Sequence, residues 1–230
     1  MIFAQLQRRD RSGEDCVADN GICPDWIADN FDRYLPPFWQ HVYLVLVSVA
    51  IGFAIAFALA LLAHRRRWLV GPIVQVTGIL YTLPSVAVFF LLLPFTGRGN
   101  TTAILALVAY TLLILFRNVM VGLDNVPADT RDAGRGMGLT PRQLLWRVEM
   151  PLALPEIMAG LRIAATTTVG LAALAFLAGA GGLGEALFDD INFRSNVLVA
   201  GGLAVLLAVV LDLLILALQK VLTPWTRAAT

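Results

Sequence analysis

Charge is the first thing this sequence lacks. Asp, Glu, Lys and Arg make up 14% of its 230 residues, against roughly 25% in a soluble globular domain. So little charge cannot clothe a soluble surface, and an apolar fraction of 58% with a mean hydropathy of +0.76 agrees. Lysine is nearly absent, Lys220 being the only one. A Walker-type phosphate loop needs Gly-Lys-Ser/Thr after a glycine turn, but Lys220 stands in Leu-Gln-Lys-Val. ATP binding by that route is therefore excluded. Cysteine and histidine are equally scarce, at Cys16, Cys23, His41 and His64. They make neither a convincing metal site nor a Cys–His nucleophile pair. The first forty residues hold no apolar core and no small-residue cleavage site, which argues against a cleaved signal peptide.

What the chain has is long uncharged runs. A bilayer crossing takes about 20 mostly apolar residues. Residues 42–63 supply one crossing and end at His64-Arg65-Arg66-Arg67. Residues 68–97 are uncharged throughout and punctuated by Pro72, Pro84 and Pro94. Two helices would need about 40 residues, so this run predicts one long, bent span. Further spans fall at about 101–122, 154–177 and 197–221. The expected fold is an all-α membrane protein of about five transmembrane helices. Its membrane domain is 41–222, flanked by a tail over 1–40 and a short tail over 223–230.

Basic residues near span ends set the orientation. With the amino terminus outside, the cytoplasmic side receives Arg65 to Arg67, Arg131, Arg135, Arg142, Arg147, Lys220 and Arg227, and the outer side only Arg33, Arg98 and Arg194. An odd number of spans then puts the carboxyl terminus in the cytoplasm. Arg8, Arg9 and Arg11 resist translocation, although seven acidic residues leave the first forty net negative. Trp26, Phe31, Tyr34, Phe38 and Trp39 suggest a short amphipathic segment resting at the outer interface, with an unstructured tail as the alternative. In an oxidising compartment Cys16 and Cys23 can pair, and spacing alone leaves the bonded and free states open.

The strongest local signal lies between spans three and four, over 125–151. Asn125 can cap a first helix, with Pro127 in its first turn, and Gly138 suits the left-handed position that ends it. Thr140 then caps a second helix, Pro141 opens it, and Gln143 completes a Thr-x-x-Gln capping box. Pro151 and Pro155 are expected to mark its exit into span four. Ala128, Ala133, Gly134, Gly136 and Gly138 crowd the first helix. Glycine weakens an isolated helix by up to about 1 kcal/mol against alanine, a cost that makes sense where another protein approaches the backbone closely.

Asp132-Ala133-Gly134, three residues, Gly138, nine residues, then Val148-Glu149-Met150-Pro151 resembles the EAA loop of ABC importer permeases. That pattern is Glu-Ala-Ala, three residues, Gly, nine residues, Ile-x-Leu-Pro. Both spacings are met; Asp replaces Glu, Gly the second Ala, Val the Ile and Met the Leu. The resemblance implies that the stretch from Asp129 to Thr140 is a coupling helix seated in a partner ATPase, with Asp129, Asp132, Met137, Gly138, Val148, Met150 and Pro151 among the residues that transmit its motion. It also implies the partners: two ATPase subunits, a second permease copy or paralogue, and an extracytoplasmic solute-binding protein, in a bacterial inner membrane. ATP and Mg would sit on the partner ATPase, with no cofactor on this chain. A plain interhelical hairpin remains the bland alternative. A DNA-reading helix-turn-helix is opposed by membrane spans at both ends, and no nucleic-acid partner is expected.

The resemblance extends over roughly 41–222 and points to the osmoprotectant branch, whose members move glycine betaine, choline and carnitine. It is carried by His41-Val-Tyr-Leu-Val-Leu-Val-Ser48, Tyr81-Thr-Leu-Pro-Ser-Val-Ala87, Arg117-Asn118, Gly136-Met-Gly-Leu139, Glu149-Met-Pro-Leu-Ala-Leu154, Met158-Ala-Gly-Leu-Arg162 and Gly179-Ala-Gly-Gly-Leu-Gly184. Another small polar solute, such as an amino acid, is the alternative within the family.

Other residues allow two readings each. Gly179 to Gly184 fits G-x-G-x-x-G, but without a preceding strand the dinucleotide reading fails; Gly181 and Gly182 belong either to an outer gate or to a tight turn. Pro84 kinks span two, for a pathway or for packing. Thr166 to Thr168 offer hydroxyls that could bond helix to helix, with Thr167 a candidate pathway residue. Asp212 is an intramembrane acid, either held by a backbone donor or an Arg, or the coupling site of an ion-driven transporter. Arg117 and Arg162 can snorkel and could pair with an acid of the loop. An intramembrane hydrolase lacks a His partner for Ser48, Ser85 or Ser195.

Overall fold

The computed structural model describes residues 16–17 and 20–225. Arg8, Arg9, Arg11 and Arg227 lie outside them. The described part is helical: α1 Pro24–Asn30, a 3-10 turn Phe31–Tyr34, α2 Leu35–Arg65, α3 Val70–Thr82, α4 Ser85–Thr96, α5 Asn100–Asp124, α6 Ala128–Gly136, α7 Pro141–Leu144, α8 Met150–Ala172, α9 Leu183–Asp189 and α10 Arg194–Leu222.

The contacts at the two ends of the bundle show how the chain threads it. Near the start of α2, the Gln40 amide donates to the Asn100 side chain at 2.7 Å and to the Ala180 carbonyl at 2.9 Å. At the other end of α2 and α5, Arg67 pairs with Asp124 at 2.6 Å. α2 and α5 therefore run parallel. α8 runs against them, because its entry residue Glu149 meets His64 while its Val169 carbonyl meets the buried His41 at 3.1 Å. The start of α10 lies beside the start of α2, where the Tyr34 hydroxyl donates to Asn196 Oδ1 at 2.7 Å.

α3 and α4 together make the remaining crossing. The 13 residues of α3 and 12 of α4 reach about 20 Å and 18 Å at 1.5 Å per residue, too short to span a ~30 Å core singly. They meet at 99°. The pair starts beside the Arg67–Asp124 end and finishes where the Gly99 amide donates to the Ala178 carbonyl at 2.7 Å, so it crosses the bundle and does not return. Leu83 and Pro84 are extended there (ψ 137° and 128°). Proline disfavours α geometry in the residue before it, which places the break at Leu83. Span two is thus one crossing, as its length predicts, but made of two half-helices.

Small residues let the crossings approach. Ala56, Ala60, Ala63, Ala106, Ala153 and Ala164 are fully buried, as expected where packing between lipid-embedded helices favours small side chains. A Cβ on Gly160 would stand 2.3 Å from Asn118 Cβ, and one on Gly52 1.9 Å from Thr111 Oγ1. Outward, α10 exposes Leu198, Val205, Leu206, Leu213 and Leu214, an aliphatic face suited to lipid.

The segment before α2 docks on the bundle. Cys16 and Cys23 are bonded to each other. The Cys23 amide donates to Ser195 Oγ at 2.9 Å, the Ser195 hydroxyl donates to the Gly21 carbonyl at 3.0 Å, and Trp26 packs edge-on against Phe193 at 4.7 Å. The aromatic residues therefore divide. Trp26 and Tyr34 turn into the protein, whereas Phe31 and Trp39 stay exposed. An interfacial reading of all five does not hold, because Ser195 and Asn196 of α10 give this segment polar partners that sequence spacing cannot show.

Candidate functional site

The 125–151 loop folds as a helical hairpin. Gly138 takes φ +81° after α6, with open space around its α-carbon. The capping box forms: the Thr140 amide donates to Gln143 Oε1 at 2.9 Å, and the Gln143 amide to Thr140 Oγ1 at 3.4 Å. Two expectations are corrected. Asn125 ends α5 in αR geometry and does not cap α6, whose N-cap is Pro127. Pro151 and Pro155 do not end the second helix either, since one helix continues from Pro141 to Ala172. A π-helical turn over Leu145–Glu149 precedes Met150. Its wider winding gives the Pro151 ring room against the preceding turn, where it would otherwise meet the carbonyl four residues back.

The glycines of α6 serve two purposes. A Cβ on Gly134 would stand 2.6 Å from Leu144 Cδ1, so this glycine closes the hairpin on itself. Gly136 and Gly138 meet nothing within 4 Å, and Met137 is 74% exposed. Asp129, Asp132 and Ala133 are exposed as well, with Asp132 paired to Arg135 at 3.0 Å. Val148, Met150 and Pro151 are half-buried at the root of the hairpin.

The hairpin is held by a residue at the variable position of the motif. Glu149 is buried, with Oε2 2.9 Å from His64 Nε2 and Oε1 3.0 Å from Arg131 Nε. Arg131 also donates from Nη2 to the Leu123 carbonyl. One carboxylate thus ties the end of α2, helix α6 and the π turn together. The signal for it in the sequence is a lone acid between apolar neighbours, Trp146-Arg-Val-Glu-Met-Pro151, which reveals the residue but not its partners.

Elsewhere the structure separates the candidates. Arg162 makes a two-pronged contact with Asp212 at 2.8 and 2.7 Å, linking α8 to α10. It does not reach the loop, and Arg117 is exposed with no ion pair among the described residues. Thr166 and Thr168 donate to the Arg162 and Ala164 carbonyls of their own helix, at 3.0 and 2.6 Å. A helical threonine commonly donates to the second lone pair of the carbonyl four residues back, so these two hydroxyls do not bridge helices. Thr167 is half-buried on α8. Gly181 (φ +73°) and Gly182 (φ +91°) form a tight turn against α2, where a Cβ on Gly182 would lie 3.3 Å from His41 Nδ1. Pro84 stands exposed at the break, and the Tyr110 hydroxyl donates to the Leu83 carbonyl beside it at 2.5 Å.

The model of the binding-protein-dependent transport system inner membrane component family matches residues 48–228. The chain belongs to this family. Among curated relatives of this permease, the osmoprotectant import permease OsmW of Salmonella typhimurium is 39% identical over 206 residues, 86% of this chain and 96% of that protein. The carnitine transport permease OpuCB of Listeria monocytogenes is 36% identical, covering 85% and 91%, and the choline transport permease OpuBB of Bacillus subtilis 34%, covering 86% and 93%. Among solved structures, the inward-facing MetNI methionine ABC transporter superposes with a TM-score of 0.70 at 26% identity, covering 86% of this chain and 96% of that one. The permease is thus a multi-pass inner-membrane subunit, and Asp212, engaged on both oxygens by Arg162, leaves the ion-driven alternative without its free carboxylate.

Proposed function

We propose that this permease forms the pathway for a quaternary ammonium osmoprotectant and is driven by a separate ATPase. The observation that carries the solute class is the relatives' agreement: permeases named for osmoprotectant, carnitine and choline transport are 34–39% identical over 85–86% of this chain. A solute-binding protein delivers the solute outside. Two ATPase subunits hold ATP and Mg, close on one another and move α6. A second copy or paralogue completes the pathway.

Two features support this arrangement. Tyr81, Thr82, Leu83 and Pro84 are exposed on the single chain, midway along a broken crossing. Non-helical backbone at that depth is tolerated only where protein covers it or water lines it. A pathway shared with a second permease supplies both, with Pro84 at its wall and Thr167, Gly181 and Gly182 further along it. The Cys16–Cys23 bond belongs in an oxidising compartment, which supports the amino terminus outside and the carboxyl terminus in the cytoplasm. A membrane-impermeant thiol reagent is expected to label intact cells only after reduction. Labelling confined to broken cells would reverse the orientation.

The coupling role is tested at Gly138. Nothing crowds its α-carbon, but φ +81° is strained for a β-branched residue, so Gly138→Val should cost about 1–2 kcal/mol locally while tilting the tip of α6. The wild-type chain is expected to co-purify with its ATPase and show betaine- or choline-stimulated turnover. In the variant, stimulation should fall at least about tenfold with expression kept, in line with a coupling energy of 1–3 kcal/mol. Full stimulation in the variant would remove α6 from the coupling route.

A further inference from the structure

Two clefts meet beside the hairpin, and the coupling role explains neither. The first, about 560 Å³, lies between the end of α2 and the α6–α7 turn, with Arg65, Arg135, Thr140 and Arg142 on its walls. The second, about 430 Å³, is apolar and is lined by Leu61, Leu62 and Trp146. Arg65, Arg142 and Leu145 line both, so two guanidinium groups stand at the junction of a polar cup and an apolar groove.

The charges do not cancel. Glu149, the one acid on these walls, has both oxygens engaged by His64 and Arg131, and Arg135 is paired with Asp132. Arg65 and Arg142 make no ion pair among the described residues, leaving two uncompensated positive charges. Leu62 and Trp146 are 46% and 48% exposed, in the position where an interfacial tryptophan belongs. An anionic head beside an aliphatic groove is the complement of this surface, and basic pockets between helices at a membrane face hold such lipids.

We propose that the junction binds one anionic phospholipid, its phosphodiester between Arg65 and Arg142 and an acyl chain along Leu61, Leu62 and Trp146. Arg65 lies at the end of α2 and Arg142 on α7. The lipid therefore bridges a membrane helix to the hairpin beside the Glu149–His64 contact, which lines the same polar cup, and steadies the hairpin root in the membrane plane.

The test uses the full chain in nanodiscs of equal parts phosphatidylglycerol and phosphatidylcholine, transferred to detergent and read by native mass spectrometry. Phosphatidylglycerol should stay bound and phosphatidylcholine should not. A surface arginine contributes roughly fivefold, so Arg65→Gln with Arg142→Gln should lower retention about 25-fold, while Arg66→Gln leaves it unchanged. Equal retention of both lipids, or unchanged retention in the double variant, overturns the proposal. Displacement by inorganic phosphate would make this a free-anion site. Loss of the ATPase subunit from a double variant that still holds phosphatidylglycerol would assign the cleft to a protein partner. Should the double variant fail to fold, a chain that keeps Trp146 and carries phenylalanine at its other four tryptophans must be quenched more by brominated-chain phosphatidylglycerol than by brominated-chain phosphatidylcholine. Equal quenching by the two lipids also overturns the proposal.

Discussion

Replacing Glu149 by glutamine is expected to uncouple the permease while leaving its membrane spans in place. Both oxygens of this buried carboxylate are engaged, by His64 at 2.9 Å and Arg131 at 3.0 Å. Glutamine keeps the shape but removes the charge that the Arg131 guanidinium faces, and its amide N–H groups cannot replace that charge. Arg131, 20% exposed at its side chain, then keeps only the Leu123 carbonyl. Breaking a buried pair by removing one partner costs about 3–5 kcal/mol, and the exposure of Arg131 sets the lower figure here. Since the carboxylate joins α2, α6 and the π turn, that loss falls on the connection between hairpin and bundle. Thermal unfolding of the detergent-purified chain should begin earlier, and ATPase activity of the assembled importer should persist without solute stimulation. Arg131→Met alone should behave similarly, and the double variant should be less impaired than the two losses summed, because the carboxylate and guanidinium no longer strand each other. An unchanged unfolding profile in Glu149→Gln would mean that the hairpin is held by apolar packing alone.

The second large effect is expected at Gly184, at the opposite end of the bundle. A Cβ there would lie 1.7 Å from the Ala173 carbonyl oxygen and 2.5 Å from its carbon. These are backbone atoms, so no rotamer change relieves the overlap, and α9 must move away from the end of α8. Moving it disturbs the buried Leu183 and Ala186. It also strains Asn196, whose amide donates to the Ala186 carbonyl at 2.9 Å while its oxygen accepts from Tyr34. Overpacking of a close contact commonly costs 1–3 kcal/mol, occasionally more, and a fixed backbone contact puts Gly184→Ala at or above about 3 kcal/mol. The variant should accumulate poorly in membranes, and any purified fraction should unfold early. Gly136→Ala is the control: a Cβ there would meet nothing within 4 Å, and abundance should be unchanged. Normal abundance of Gly184→Ala would show that α9 is loosely placed and would favour the gate reading of this turn over close packing.

Much of the bundle was legible because its signals are local. The long, mostly apolar runs predict five crossings, and the contacts at both ends of the bundle give five. Gly138 and the Thr140–Gln143 box depend on backbone geometry within a few residues, so spacing alone reveals them. The errors share a cause. Asn125 has the residue type of a cap, yet α5 continues to Asp124 and leaves Asn125 in helical geometry at its end. Pro151 and Pro155 point to an exit, but the π turn over Leu145–Glu149 comes just before Pro151 and the helix runs on through Pro155.

Composition and run length, then, were sufficient by themselves for the fold class and the number of crossings, and the family was legible through the resemblance of the 125–151 loop to a known motif. Each depends on residues near one another in the chain, where apolar periodicity and capping chemistry act. Only the tertiary structure decided that Asp212 belongs to Arg162, that Glu149 answers to both His64 and Arg131, that span two breaks at 99°, and that residues 20–34 dock on α10. A charge or an amide withdrawn from water must find a partner, and here each partner lies on a helix far away in sequence. Helix packing decides which of them comes within reach.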